Sequence, residues 1–253
     1  MIQIDVLVSP AEQELVRHRD LSHTACAVFD VLRATSTMLE MLASGATAIR
    51  PVCEIPDAVA LRRQNPTLLL AGERHGLRIS AADTGGIEFD FGNSPREVRS
   101  ERVAGREVVM TTTNGTRALQ ACAHAAVVWI AAFTNLQATA SALLQTTTHS
   151  VLLVCSGTGS GLAYEDLLGA GALIDRLMSH GDALPIELSD SAHAALDAYR
   201  SHRHELHLAI RSAANARRLL SLPELADDVR ACLDIDRHGF AARLHADGLV
   251  CRD

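Results

Sequence analysis

Short apolar or β-branched runs alternate with segments of helical periodicity along the first two-thirds of the chain. The runs at 2–8, 25–29, 48–52, 67–71, 107–111, 127–131 and 151–155 predict strands. Between them, segments 35–44, 55–64, 115–124, 136–145 and 165–180 bring apolar residues back every three or four positions and predict helices. Val151-Leu152-Leu153-Val154 shows no polar alternation, as expected of parallel strands covered on both faces. Such alternation predicts an α/β fold, a mostly parallel, doubly wound sheet in three α/β/α layers with right-handed crossovers. From Leu188 the pattern becomes helical alone. Ser189 or Asp190 caps a run to about residue 220, Pro223 sits near the start of a further helix through Cys232, and no strand candidate precedes Ala241. The Gly-rich, polar stretch 79–97 is longer than most connections and predicts a functional or domain-linking loop. Two divisions are compatible with this pattern: an α/β domain over 1–145 followed by an α/β to mainly helical portion over 146–253, or one continuous domain.

Composition narrows the function classes. Apolar residues make up 48% of the 253 positions and aromatics 3%, so the core is built mainly from Ala, Leu, Val and Ile. The formal net charge of −7 disfavours a nucleic-acid or anionic-membrane surface as partner. All 23 basic residues are Arg and none is Lys, which excludes Schiff-base, P-loop and Ser–Lys chemistry. No apolar run reaches the roughly 18 residues of a membrane helix, and the N-terminus lacks the pattern of a secretory signal. Six scattered cysteines without a Cys-x-x-Cys pair fit reduced, mostly buried thiols in a cytoplasmic protein.

In open parallel sheets, ligands bind beyond the carboxyl ends of the strands. The junctions there are rich in polar residues. After the second strand, Asp30, Arg33 and the hydroxyls of Thr35, Ser36 and Thr37 suit a metal-bound oxyanion, although Asp30 as a cap and Arg33 as a surface charge fit equally. Gly72-Glu73-Arg74-His75-Gly76 sets a carboxylate between two glycines, where an ordinary turn is the alternative. Ser94-Pro95 has the form of a helix start, with Ser94 as the cap. Thr111-Thr112-Thr113-Asn114-Gly115-Thr116 offers hydroxyls, an amide and backbone N–H groups at a helix start, a phosphate cradle or a Thr-rich cap without Walker spacing. Asn135 follows the next strand as a weaker echo. Cys155-Ser156-Gly157-Thr158-Gly159-Ser160-Gly161 forms a Gly-rich nest ahead of Glu165-Asp166, which either face the site or complement a helix dipole. A cysteine-phosphatase loop needs an Arg where Gly161 stands, so Cys155 is expected to be a packing residue. His204 and His207 lack zincin spacing and predict a solvated helix face, and Asp227-Asp228 predict a dipole-matching pair.

Taken together and in order, these stretches resemble the 2-phosphosulfolactate phosphatases. Those carrying the resemblance are Phe29 to Thr37, Ala71-Gly72-Glu73-Arg74, Gly92-Asn93-Ser94-Pro95, Thr111 to Thr116, Asn135, and Cys155-Ser156-Gly157-Thr158 with Glu165-Asp166. His75, Ser156 and Ala241-Ala242 depart from the family pattern without removing a carboxylate. The resemblance implies a Mg²⁺-dependent phosphohydrolase acting on 2-phospho-3-sulfolactate, a step of coenzyme M synthesis where that pathway exists.

Mg²⁺ takes oxygen ligands and keeps several waters. On this basis Asp30, Glu73 and Glu165 are expected at the metal, with Asp166 as an alternative to Glu165. Thr35, Thr113, Asn114, Gly115, Thr116, Asn135 and Gly157 are expected around the phosphorylated small molecule. Catalysis is expected from Asp30, Arg33 and Asp166, the last orienting water. Arg74 and Arg117 are the candidates for a second acid group on the substrate. A homodimer is one compatible assembly. The rival functions are an S-adenosylmethionine-dependent methyltransferase using the Gly157–Gly161 loop, and a non-catalytic phosphate-ligand binding protein.

Overall fold

The computed structural model describes residues 1–16, 18–180 and 185–253. All seven expected strands are present: β1 (Ile2–Leu7), β2 (Thr24–Phe29), β3 (Ala48–Pro51), β4 (Leu69–Arg74), β6 (Glu107–Thr111), β7 (Val127–Ala131) and β8 (Ser150–Cys155). Four short ones join them: β5 (Leu77–Arg78), β9 (Ile186–Leu188), β10 (Ala242–Leu244) and β11 (Val250–Arg252). The sheet order is β5-β4-β6-β3-β11-β10-β7-β2-β8-β1-β9.

Two parallel blocks make up this sheet, β4-β6-β3 and β7-β2-β8-β1-β9. The hairpin β10–β11 lies between them, antiparallel to β7 on one side and to β3 on the other. Three antiparallel steps therefore reverse the direction of one block relative to the other. Strand twist of about 20–25° per step, accumulated over the five steps from β2 to β6, turns the sheet through more than a right angle. The carboxyl ends of β2, β4, β6 and β8 consequently meet at one place instead of lying on opposite edges.

The helices are α1 (Pro10–Val16), α2 (Ala34–Ala43), α3 (Ile55–Gln64), α4 (Ala81–Thr84), α5 (Ser100–Val103), α6 (Gly115–Ala121), α7 (Leu136–Gln145), α8 (Tyr164–Ser179), α9 (Asp190–His202), α10 (Leu206–Arg211), α11 (Ala214–Leu220) and α12 (Ala226–Cys232). Successive strand residues point to opposite faces. Ala25, Ala27 and Phe29 of β2 enter one core with α7, α8 and α9, and the later helices α10, α11 and α12 close over that same core. Cys26 and Val28 enter a second core with α1, α2 and α6. The result is the expected α/β fold with a mostly parallel sheet between helical layers. Ser189 caps α9 by accepting the Ala192 N–H, as its sequence position suggested. Between Leu188 and Ala241 the described chain forms helices and no strand, as expected, and β10 and β11 then return it to the sheet. Among the described residues no helix is long and apolar enough to cross a membrane.

Candidate active site

Asp30 follows β2 directly. Its Oδ1 accepts the Ala34 N–H at 3.0 Å, which settles the carboxylate over the first turn of α2. Gly115 presses on it from α6: a Cβ there would stand 2.5 Å from Asp30 Oδ2. Only a glycine permits this approach. Thr35 Oγ1 donates to Asp30 O and accepts from Asp30 N, so that hydroxyl shapes the loop. Arg33 is buried, its Nη1 donating to Asp228 Oδ2 at 2.7 Å and its Nη2 to Gly76 O at 2.9 Å.

Strand β4 begins two residues later than expected and continues through Glu73, which sits on the sheet rather than in a turn. Glu73 Oε1 accepts both the backbone N–H and the hydroxyl of Thr113, at 2.9 and 2.8 Å, while Oε2 accepts the Gly76 N–H at 2.7 Å. The other hydroxyls of the threonine run are committed to backbone groups. Thr111 donates to Cys53 O, and Thr112 and Thr116 bond one another's backbone. Asn114 Nδ2 donates to Gly157 O at 2.6 Å and ties the β6 junction to the β8 loop.

Gly157 stands at φ +75°, where a Cβ would meet Pro10 and Gly161 O at 2.5 Å. Behind it Asp166 is fully engaged: Oδ1 accepts the Val31 N–H, and Oδ2 accepts the Ser156 hydroxyl and the Gly157 N–H. Glu165 Oε1 accepts from Asn215 Nδ2 at 2.7 Å, whereas its buried Oε2 has no partner. Burial raises the Asp30, Glu165 and Asp166 carboxyls above their ordinary values. Mutual repulsion adds to this, from Glu73 on Asp30 and from Asp30 on Glu165 and Asp166. Burial also drives the Cys155 thiol well up, so it is a packing residue and a poor nucleophile.

These elements enclose a polar cavity of about 300 Å³. Asp30, Arg33, Glu73, Thr113, Asn114 and Gly157 line it, and the six come from four different strand ends. Of the remaining expected residues, Thr35, Gly115, Thr116, Glu165 and Asp166 lie behind its wall. Asn135 is elsewhere: it accepts the Ala132 N–H and donates to Ile130 O, acting as a local cap. Among the described residues no three His, Cys, Asp or Glu side chains converge into a ready metal cage.

The comparisons with known proteins fit this constellation. The family profile described as 2-phosphosulpholactate phosphatase matches residues 11–246. The chain belongs to that family. A protein of Caldanaerobacter subterraneus subsp. tengcongensis, named "Probable 2-phosphosulfolactate phosphatase", is 33% identical over 90% of this chain and 91% of its own length. Proteins of the same name from Parasynechococcus marenigrum and Thermotoga maritima are 36% and 32% identical, over 91% and 92% of this chain and 93% and 91% of theirs. The family match takes in every strand from β2 to β10 and every helix from α2 to α12.

That helical portion supplies wall residues with no motif to announce them. Asn215 and Arg218 of α11 line the cavity. Asp228 of α12 is wholly buried against Arg33 and accepts the Ser94 hydroxyl at 2.8 Å. The pair Asp227-Asp228 thus divides, with Asp227 exposed and Asp228 one partner of a buried ion pair. Ser94 precedes a short 3₁₀ turn as expected, but its side chain reaches across to Asp228 and does not cap that turn.

Proposed function

We propose that the protein is a phosphoric monoester hydrolase that removes phosphate from 2-phospho-3-sulfolactate, or a closely related 2-phospho acid, in the cytoplasm. The observation that carries this is the wall of one cavity, where acids (Asp30, Glu73), guanidinia (Arg33, Arg218) and amides (Asn93, Asn114, Asn215) face each other and Leu32 is the one large apolar side chain among the described residues. Such a lining suits a small, multiply charged ester, and the names of the relatives point to the same chemistry.

A hard divalent cation such as Mg²⁺ fits the donor set. Glu165 Oε2 is buried without a partner; burial raises both the Asp30 and Glu165 carboxyls, and the charges of Glu73 on Asp30 and of Asp30 on Glu165 add to it, so a cation would relieve both. Asp30, Glu165 and Glu73 would hold it, two or three carboxylates being enough when water and phosphate oxygens complete the shell. When bound it supplies positive charge to the transferring phosphoryl group. The chain's own residues do the positioning. Arg33, fixed by Asp228 and Gly76 O, presents a guanidinium to the ester oxygens. Thr113 and Asn114 hold the β6 junction against Glu73 and the β8 loop. Asp166 fastens the Val31 and Gly157 N–H groups, and so keeps the loops on both sides of Asp30 in register.

Phosphate release is the direct assay. The purified protein, given 2-phospho-3-sulfolactate and Mg²⁺, should liberate inorganic phosphate, and chelator should stop it. Absence of release from that substrate and from a panel of 2-phospho-carboxylates, with Mg²⁺ or Mn²⁺, would leave a ligand-binding protein as the better description.

A further inference from the structure

A substrate that carries an acid group besides its phosphate needs a cation for it, and among the described residues two guanidinia line the cavity, Arg33 and Arg218. Arg33 is already assigned: Asp228 neutralises its charge, Asp228 and Gly76 O fix its fork, and its remaining N–H groups are those given to the ester oxygens above. Arg74 and Arg117, the candidates from sequence, are elsewhere. Arg74 donates to Glu73 O, Cys53 O and Thr111 Oγ1, and Arg117 pairs with Glu54, neither lining the cavity.

Arg218 differs from all of these. Its side chain is exposed at the mouth, and among the described residues it forms no ion pair with a carboxylate. Asn215 positions it. The Asn215 amide nitrogen donates to Thr158 Oγ1 and to Glu165 Oε1, both at 2.7 Å, which turns the amide oxygen toward Arg218 Nη2 at 3.3 Å. The guanidinium lies beside Gly76, about 3.5 Å from where a Cβ would stand, with His75 next to it on the rim. It is therefore a planar fork without a direct carboxylate partner among the described residues, oriented from within the site and open to solvent on its other side. A sulfonate or carboxylate is matched by that geometry.

We propose that Arg218, seated by Asn215 beside His75 and Gly76, is the subsite for the acid group of the substrate that lies farthest from the phosphoryl. This rests on the phosphate-ester function proposed above. The same Asn215 that seats Arg218 also holds Glu165, so the distal acid group and the carboxylate cluster are linked through one side chain.

The test compares substrates that differ only in the distal group. Kinetics of wild type, Arg218→Gln and Arg218→Lys are measured on 2-phospho-3-sulfolactate, 2-phosphomalate and 2-phospholactate. Arg218→Gln should lower kcat/KM on the first two by at least about tenfold, mainly through KM, with a smaller loss on 2-phospholactate; Arg218→Lys should recover part of it. A loss confined to the sulfonate assigns the subsite to sulfonate, and an equal loss on both diacids assigns it to acid groups in general. Equal losses on all three substrates, or a change in kcat with KM unmoved, overturns the proposal. Calorimetry with 3-sulfolactate keeps it testable should no phosphate be released. Wild type should then bind at least about tenfold more tightly than Arg218→Gln. Equal affinity, or no binding by wild type, overturns it.

Discussion

Replacing Asp228 with Asn tests the buried pair on which the cavity wall rests. The side chains of Arg33 and Asp228 are 3% and 0% exposed and 2.7 Å apart, so solvent screens them little. Asn keeps the shape and an acceptor for the Ser94 hydroxyl but removes the charge. Arg33 would keep its bond to Gly76 O and face no counter-charge nearer than the carboxylates of the site. Removing one partner of a buried pair costs about 3–5 kcal/mol. For a chain of this size each kcal/mol moves the thermal midpoint by about 2–4 °C, so a fall of roughly 6–20 °C is expected. Differential scanning calorimetry on wild type and Asp228→Asn measures it. Two further variants separate the causes. Asp227→Asn changes an exposed neighbour and should leave the midpoint in place. The double variant Arg33→Met/Asp228→Leu should recover at least half of the loss, because no charge is then stranded. A midpoint for Asp228→Asn within about 2 °C of wild type would refute the reasoning, since each kcal/mol is worth at least that much.

Other consequences can be measured on the same protein. Asp30→Asn should lower turnover by about 10²–10⁴-fold with the fold intact by circular dichroism, and full Mg²⁺-dependent turnover would remove Asp30 from the site. Gly115→Ala places a methyl 2.5 Å from Asp30 Oδ2 and 2.7 Å from the Ala34 Cβ. It should cost about 1–3 kcal/mol of stability, and the displaced carboxylate should cost about 10²-fold in activity. Glu165→Gln probes pH dependence. The folded-state pKa of Glu165 lies above its ordinary 4.5, so its contribution to stability is whole below that value and fades as pH rises through the elevated one. In metal-free protein the variant should therefore gain stability relative to wild type as pH rises from about 4 to 8. A difference that stays flat with pH would count against the raised pKa.

The strands were legible because long apolar runs carry their own period. Val151 to Val154 needs no partner to announce itself, whereas Ile186–Leu188 and the β10–β11 hairpin are three-residue strands whose identity comes from the neighbours they pair with. The site divides in the same way. Asp30, Glu73 and Asn114 stand at strand ends, where chain order gives them away. Asn215, Arg218 and Asp228 come from helices far along the chain, and only the packing of those helices over the sheet delivers them to the cavity. The threonine run shows the converse. Its hydroxyls look like a ligand cradle in sequence, yet Thr112 and Thr116 close onto each other's backbone and Thr111 onto Cys53 O. Counting donors along a chain does not reveal which are already spent.

The hairpin between the two blocks of the sheet has a consequence for assembly. Asp30 and Gly157 ride on one block, and Glu73 and Thr113 on the other. The backbone hydrogen bonds that link those blocks run through Ala242–Leu244 and Val250–Arg252, with β11 meeting β3 at the single pair Val250–Ile49. During synthesis both blocks can emerge before this clasp exists. The two walls of the cavity are joined through the sheet by a seam some two hundred residues downstream of Asp30.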